Sequence, residues 1–141
     1  IDVLDTMSVE SAYKPDISMA VIKETAHLND FQNLVSGGKD NHFPVVNSEN
    51  EIVGIISLKN VRSVLFEDDA NDVLIARDLM TNPVTVTPPE NLRSALKKFM
   101  DSEYGQIPVV DIRDEHHIVG VLSHEDVIEA YNNEVKARKM V

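Results

Sequence analysis

The chain contains one stretch twice, and this duplication restricts its fold more than any other sequence feature. Each copy consists of an apolar run with a proline, a polar turn, a second apolar run that contains a glycine, and a serine that begins a helix. The copies occupy residues 43–57 and 107–123 of the 141-residue chain. Because internal repeats of this kind are supersecondary units that pack on one another, the sequence predicts two similar units.

The elements of each unit follow from the apolar patterns. The repeated apolar runs are continuous, which predicts two strands covered on both faces. A short strand is expected earlier in each unit, at residues 20–22 and 84–86, and a helix on either side of the strand pair. The predicted order is therefore strand, helix, strand, strand, helix, used twice. The apolar residues expected on the core faces of the four helices are Leu28, Phe31, Leu34 and Val35; Val61, Val64, Leu65 and Phe66; Leu92, Ala95, Leu96, Phe99 and Met100; and Val127, Ile128 and Tyr131.

The repeat also predicts where the units begin and end. We expect the first repeat over residues 1–70 with an acidic linker over 67–75, the second repeat over 76–135, and a charged tail over 136–141. The linker is expected because a run of acidic residues interrupts the apolar pattern.

Two shorter features concern the start of each repeat. Residues 3–7 and 76–80 are matched as short helical turns that end in methionine, and each is expected to pack on the repeat that follows it. Thr87 is predicted to cap the first helix of the second repeat, because Pro88 and Glu90 would then lie in its first turn.

Composition excludes several classes of function. With 24 acidic and 13 basic residues the formal charge is −11, which opposes binding to nucleic acid. The absence of cysteine excludes disulfides, thiolate nucleophiles and cysteine-ligated zinc. No apolar run approaches the roughly 20 residues that cross a bilayer. Because the chain begins with Ile1 instead of methionine, we expect it to be part of a longer protein.

A serine and an acid three residues later stand where the last strand of the second repeat turns into a helix. Ser123 and Asp126 have two interpretations: an ordinary helix cap, or a site where helix amides hold an anion and the carboxylate accepts hydrogen bonds from two vicinal hydroxyls. The first repeat has Ser57 and Asn60 at the same positions. Since the amide lacks the charge and the second equivalent oxygen, the two sites are predicted to be unequal.

The duplicated frame resembles the tandem cystathionine-β-synthase (CBS) domain pair over nearly the whole chain. The residues that carry the resemblance are the hydrophobic-Pro-Val-Val motifs at 43–46 and 107–110 and the Gly-hydrophobic-hydrophobic-Ser motifs at 54–57 and 120–123. The resemblance implies an α+β fold of two β-α-β-β-α repeats related by a pseudo-twofold axis. Residues 41–46 and 54–66 are also similar to the cytoplasmic CBS pair that follows the membrane domain in prokaryotic ClC-type chloride channels and transporters.

The resemblance further implies an adenine nucleotide (AMP, ADP or ATP) as a regulatory ligand in clefts between the repeats, with no catalytic cofactor. Adenine would lie against Phe43 in the better cleft, and His42 is either a polar contact or a solvated loop residue. His124 and the helix amides would neutralise phosphate, with Lys14 or Lys23 within reach. The better cleft would combine Met19, Ala20, Val21, Asn41, His42 and Phe43 with Ser123, His124 and Asp126, and the weaker one Ser57 and Asn60 with Val84, Thr85, Gly105, Gln106 and Ile107.

The same resemblance implies a homodimer formed through the helices and a membrane transport domain attached in the parent chain. From the residues, we find no placed catalytic base and no P-loop. The adjacent His116 and His117 point to opposite faces of a hairpin and lack further ligands, so we expect neither an enzyme nor a metal site. Two alternatives stay open: a ligand-free dimerisation module, or a CBS pair attached to an enzyme or a magnesium transporter.

Overall fold

The computed structural model describes residues 2–15, 19–37, 41–62, 64 and 73–140, without the side chains of 35–37 and 60. Its helices are α1 (Val3–Thr6), α2 (Leu28–Gly37), α3 (Leu58–Val61), α4 (Ala76–Leu79), α5 (Leu92–Ser102) and α6 (His124–Lys139), with a 3₁₀ turn at Val9–Ser11. Its strands are β1 (Ile22–Lys23), β2 (His42–Val46), β3 (Ile52–Ser57), β4 (Gln106–Asp111) and β5 (Asp114–Ser123). The mixed α+β content matches the predicted fold class.

The chain forms two compact units that do not coincide with the two sequence repeats. The central unit consists of residues 19–83. The composite unit joins residues 1–18 to residues 84–141. The segment that precedes each repeat therefore belongs to the unit built from the other repeat.

The central unit contains a three-stranded sheet in the order β1, β2, β3. β1 runs parallel to β2, and β2 runs antiparallel to β3 with His42 opposite Ser57. All five residues of β2 are buried, which confirms the prediction of a strand covered on both faces. In α2, Leu28 and Phe31 are buried in the core, whereas Leu34 is exposed.

The last helix of the first repeat is described only in part. Val61 is buried in the core of the central unit, and Val64 is half-buried against that core. The predicted core residues Leu65 and Phe66 and the side chain of Val35 lie outside the described residues.

The composite unit is built on the hairpin of β4 and β5, which pairs Gln106 with Ser123. Val86 makes one parallel bridge to Val109, so the strand predicted at residues 84–86 is reduced to a single residue. The Thr85 carbonyl, next to this bridge, accepts a hydrogen bond from the Lys98 ammonium at 2.8 Å.

The start of α5 differs from the prediction. Asn91, not Thr87, caps this helix, and its side chain accepts a hydrogen bond from the Ser94 amide at 2.8 Å. The carbonyls of Pro88 and Glu90 accept instead from amides of residues 9 and 10 at 2.8–2.9 Å, so residues 87–90 form a turn outside the helix. The prediction considered only local capping, whereas a distant segment takes up these carbonyls.

The predicted core faces of α5 and α6 are only partly correct. In α5 the buried residues are Leu92, Ala95 and Phe99, whereas Met100 is 73% exposed. In α6, Val127 is buried but Ile128 and Tyr131 are exposed. The buried stripe of each helix is therefore narrower than the apolar pattern of its sequence. Residues 136–139 of the predicted charged tail continue α6.

Each segment that precedes a repeat packs on the unit of the other repeat, opposite to the expectation. The Leu92 amide donates to the Met7 carbonyl at 2.9 Å, and the Leu28 amide donates to the Leu74 carbonyl at 3.0 Å. Val9 and Ala12 are buried in the composite core, and Ala76 is buried in the central core. The expectation that each segment packs on the repeat that follows it is therefore wrong.

The matching of residues 3–7 with residues 76–80 is also wrong. Antiparallel bridges join Ser8 to Asn91 and Lys14 to Val121 in one unit, and Ile75 to His27 and Thr81 to Ile55 in the other. These bridges make residues 7–14 the structural counterpart of residues 74–81. We call these two stretches the crossing segments. The two stretches were matched because both contain aspartate, one residue and then methionine, but Met7 begins its crossing segment whereas Met80 is the next-to-last residue of the other.

Candidate functional site

The site predicted at the start of α6 is a reciprocal helix cap. The Ser123 hydroxyl accepts a hydrogen bond from the Asp126 amide at 3.0 Å, and Asp126 Oδ2 accepts from the Ser123 amide at 3.1 Å. This arrangement confirms the capping interpretation of the serine. It occupies only one carboxylate oxygen of Asp126, so the capping interpretation and a ligand-binding role are compatible.

The second oxygen of that carboxylate faces a lysine. Asp126 Oδ1 lies 3.6 Å from Lys14 Nζ, and the two side chains are 11% and 60% exposed, respectively. Lys14 is held there through its backbone, since its amide and its carbonyl both bond to Val121 at 2.9 Å. Lys23, the other cation considered from the sequence, lies in the central unit, where its ammonium contacts Asn50.

Several predicted residues of the composite unit meet at one end of its hairpin. The His124 amide donates to the Gly105 carbonyl at 3.0 Å, and Gln106 lies opposite Ser123. The sequence analysis had divided these residues between two clefts, whereas the hairpin register makes them neighbours within one unit. The imidazole of His124 packs edge-on against Phe99, with 5.7 Å between ring centroids.

The predicted residues of the central unit lie around the start of β2. The Asn41 carbonyl accepts from the Leu58 amide at 2.7 Å, which joins the start of β2 to the start of α3. His42 is buried in β2, so its interpretation as a solvated loop residue is wrong. The Phe43 ring is 1% exposed and belongs to the core, so it offers almost no surface on which adenine could stack.

The remaining predicted residues have less distinctive surroundings. Met19 and Ala20 are partly buried and Val21 is exposed, just before β1. Val84 and Thr85 are partly buried before the Val86 bridge, Ile107 is fully buried in β4, and Ser57 ends β3. The side chain of Asn60 lies outside the described residues, so the predicted inequality with Asp126 stays a prediction.

Sequence reasoning named Lys14 only as a cation within reach and missed what places it. A detectable signal existed. Residues 9, 12 and 13 of one crossing segment and 76, 79 and 80 of the other are apolar at the same spacing, while the glycine in each repeated strand leaves room above it. Together these features predict that a chain segment crosses the strand.

Two classes of site are absent from the part of the chain that the structure describes. Within it, no three or more histidine, aspartate or glutamate side chains are grouped so as to hold a metal ion. None of the helices described in these ranges is long and apolar enough to span a bilayer.

A family comparison matches the sequence to the CBS domain at residues 14–67 and again at 76–133. The chain belongs to the CBS-domain family. The two matches confirm the predicted tandem CBS pair, and each contains one copy of the repeated strand pair.

Solved CBS pairs share the fold at low sequence identity. The CBS domain of a bacterial CNNM/CorC-family Mg²⁺ transporter in complex with ATP has a TM-score of 0.71 and 24% identity, over 92% of this chain and 89% of that one. CBSX2 in complex with AMP, a CBS-pair protein of Arabidopsis thaliana, has a TM-score of 0.69 and 23% identity, over 92% of this chain and 98% of that one.

Curated relatives match this chain over part of much longer proteins. Inosine-5'-monophosphate dehydrogenase of Bifidobacterium longum is 33% identical over 87 residues, which is 60% of this chain and 15% of the enzyme. The magnesium transporter MgtE of Enterococcus faecalis is 31% identical over 90 residues, which is 64% of this chain and 18% of the transporter. The matched stretch thus spans less than a fifth of the length of either relative.

Proposed function

We propose that this CBS pair is a regulatory module that binds an adenine nucleotide through Ser123 and Asp126 and modulates a domain attached to it. One observation carries the proposal: the helix cap occupies Oδ2 of Asp126, while Oδ1 takes no part in the cap and lies 3.6 Å from the ammonium of the exposed Lys14. The carboxylate is thereby fixed in orientation and retains an acceptor for a ligand.

The chemistry of the motif suits the sugar of a nucleotide. Vicinal ribose hydroxyls are donors, and an ionised carboxylate accepts such bonds more strongly than a neutral acceptor does. The motif also begins a helix of 16 residues, whose N-terminal dipole favours a nearby anion. The solved CBS pairs in complex with ATP and AMP support an adenine nucleotide as the ligand. Residues 19–21, 41 and 42 remain predictions of the sequence for the same ligand, whereas the buried ring of Phe43 offers it almost no surface.

Regulation follows from differential binding. A nucleotide shifts the module between two arrangements only to the extent that it binds them with different affinities. The attached domain then responds to the changed population. In this role the module binds the nucleotide and passes the change of conformation to the attached domain, which carries out the chemistry or transport.

For the attached domain we propose a membrane transport protein, which would place this module in the cytoplasm. Residues 41–46 and 54–66 favour a ClC-type chloride channel or transporter. The likeness to MgtE supports a magnesium transporter instead, and the likeness to inosine-5'-monophosphate dehydrogenase supports a parent enzyme. Sequencing the gene upstream of the codon for Ile1 decides among them, because a transporter requires several apolar segments of about 20 residues there.

We also propose a homodimer formed through the helices. Ile128 and Tyr131 are exposed on α6 at 47% and 38%, and apolar helix surface of this kind is typical of interfaces. Sedimentation of the wild type should show a dimer, and Ile128→Asp should shift it towards monomer. A wild type that sediments as a monomer at high concentration would rule the dimer out.

Calorimetry with AMP, ADP and ATP tests the ligand. Asp126→Asn preserves an acceptor for the Ser123 amide but removes the charge, so affinity should fall about tenfold or more. Asp101→Asn is the matched control, because this exposed carboxylate pairs only with Lys97 on the same helix in the described structure. No binding at millimolar nucleotide would support the ligand-free dimerisation module, and equal binding by Asp126→Asn would rule out Asp126 as part of the nucleotide site.

A further inference from the structure

We infer that Lys14 gives the Ser123–Asp126 site its preference for phosphate-bearing ligands. When such a ligand binds, the Lys14 ammonium gives up its ion pair with Asp126 and pairs with the phosphate of the ligand. This inference rests on the proposed function. A ribose diol that donates to Asp126 would take the place of the ammonium at Oδ1, and the ammonium would then pair with the ligand's phosphate. Lys14 thereby becomes a specificity residue for nucleotides over nucleosides.

The Lys14–Asp126 contact is weak enough to be exchanged. Its separation of 3.6 Å exceeds the roughly 2.7–2.9 Å of a charge-assisted hydrogen bond. Since the lysine side chain is 60% exposed, solvent screens the pair and its rupture costs little. The contact therefore keeps the ammonium beside the carboxylate without fixing it there.

The backbone of Lys14 stays in place whatever its ammonium does. Both of its main-chain hydrogen bonds go to Val121, two residues before Ser123 on β5. The lysine stem is flexible, so the charge can move while the crossing segment remains paired with the strand. Replacing the side chain should therefore leave the fold intact.

Four other cations of the composite unit have partners elsewhere. Lys98 donates to the Thr85 carbonyl and pairs with Glu90, while Lys97 pairs with Asp101. Arg93 pairs with Asp2 and Asp5, and Arg138 pairs with Glu134. In the described residues, Lys14 is the cation with an ion pair to Asp126.

A compensating cation is needed for electrostatic reasons. The chain carries a formal charge of −11, and a phosphate held near Asp126 would be repelled by that carboxylate. An ammonium that lies between them offsets this repulsion. Without it, the motif would lose much of its preference for AMP over adenosine.

Calorimetric titration with adenosine and with AMP tests the inference on the full chain. For Lys14→Met we expect AMP affinity to fall about tenfold while adenosine affinity stays within about twofold of the wild type. Its AMP binding should also depend less on salt. Lys14→Arg should retain the preference for AMP, and Lys97→Met should match the wild type with both ligands.

The outcomes separate this inference from the proposed function. If Asp126→Asn weakens AMP binding but Lys14→Met lowers both affinities equally or changes neither, Lys14 has no role in specificity while the nucleotide site stands. If the wild type binds neither adenosine nor AMP, both proposals fail. Unchanged thermal unfolding of Lys14→Met ensures that a loss of affinity reports on the side chain.

Discussion

Gly120 lies directly beneath the backbone of Lys14, so a Cβ at this position would overlap the Lys14 carbonyl oxygen and the ring of Tyr13. The equivalent glycine of the first repeat, Gly54, lies beneath the side chain of Met80. Each glycine of the duplicated motif is thus the place where a crossing segment passes over a strand. A backbone obstacle cannot move aside as a methionine side chain can.

The two glycines should therefore differ in their tolerance of alanine. We expect Gly120→Ala to lower the free energy of unfolding by about 3 kcal/mol, and Gly54→Ala by about 1 kcal/mol. Gly105→Ala is the control, because no atom lies within 4 Å of a Cβ there. Urea unfolding of the three variants gives the order of their losses in free energy of unfolding. Equal losses for Gly54→Ala and Gly120→Ala would contradict the passage of the Lys14 backbone over Gly120.

The helix cap at Ser123 should contribute to stability independently of any ligand. Ser123→Ala removes the acceptor of the Asp126 amide and is expected to lower the free energy of unfolding by about 1 kcal/mol. Asn91→Ala provides the comparison, since that side chain caps α5 in the same way. Urea unfolding of both variants should give similar losses, and no loss at Ser123 would show that the cap is not formed in solution.

The N-terminal segment is joined to α5 by a pH-dependent contact. The Leu4 amide, and after it Arg93, lowers the pKa of Asp2. A carboxylate with a lowered pKa in the folded state stabilises the protein above its unfolded pKa of about 3.9, and the contribution is lost as the pH falls through the folded value. Wild type should thus exceed Asp2→Asn in stability near neutral pH, with the difference vanishing in acid.

An NMR titration of Asp2 resolves the two causes. Arg93→Gln removes the cation but leaves the Leu4 amide, so the pKa of Asp2 should rise only part of the way to its ordinary value. An unchanged pKa in this variant would mean that Arg93 does not contact Asp2 in solution.

The crossed arrangement can be tested through Val9, which is fully buried in the composite core. Val9→Ala is expected to cost about 2 kcal/mol. Hydrogen exchange should show the first loss of amide protection in α5 and β5, which this residue contacts through the composite core, and not in β2. Loss of protection confined to β2 would place residues 7–14 on the first repeat after all.

The order of elements could be predicted because it depends on local patterns that occur twice. The continuous apolar runs around Val45 and Val109 became buried strands, and Ser123 caps a helix as expected. What could not be predicted depends on partners distant in sequence. Local capping preference favoured Thr87, yet residues 9 and 10 take up the neighbouring carbonyls and shift the helix start to Asn91.

The candidate site, too, was predictable where it depends on local sequence and not where it depends on distant partners. The motif residues Ser123 and Asp126 were found from spacing alone, because a strand-to-helix turn with this pattern has a local geometry. The contact between Asp126 and Lys14 was not predicted, since it depends on which unit the N-terminal segment joins. The burial of Phe43 followed from the predicted strand covered on both faces, but the resemblance to nucleotide-binding CBS pairs led adenine to be placed against this ring.

The crossing segments also determine when the protein can fold during its own synthesis. The central unit is complete once residue 83 has been made, whereas residues 2–14 must wait for partners made much later. One hydrogen bond, from Arg138 to Thr6, joins residues 132 positions apart. Contacts of such separation form slowly, and chains are made at about 5–20 residues per second. Residues 2–14 are thus made before the central unit and yet are among the last to reach their partners, and their apolar residues stay exposed to chaperones in the interval.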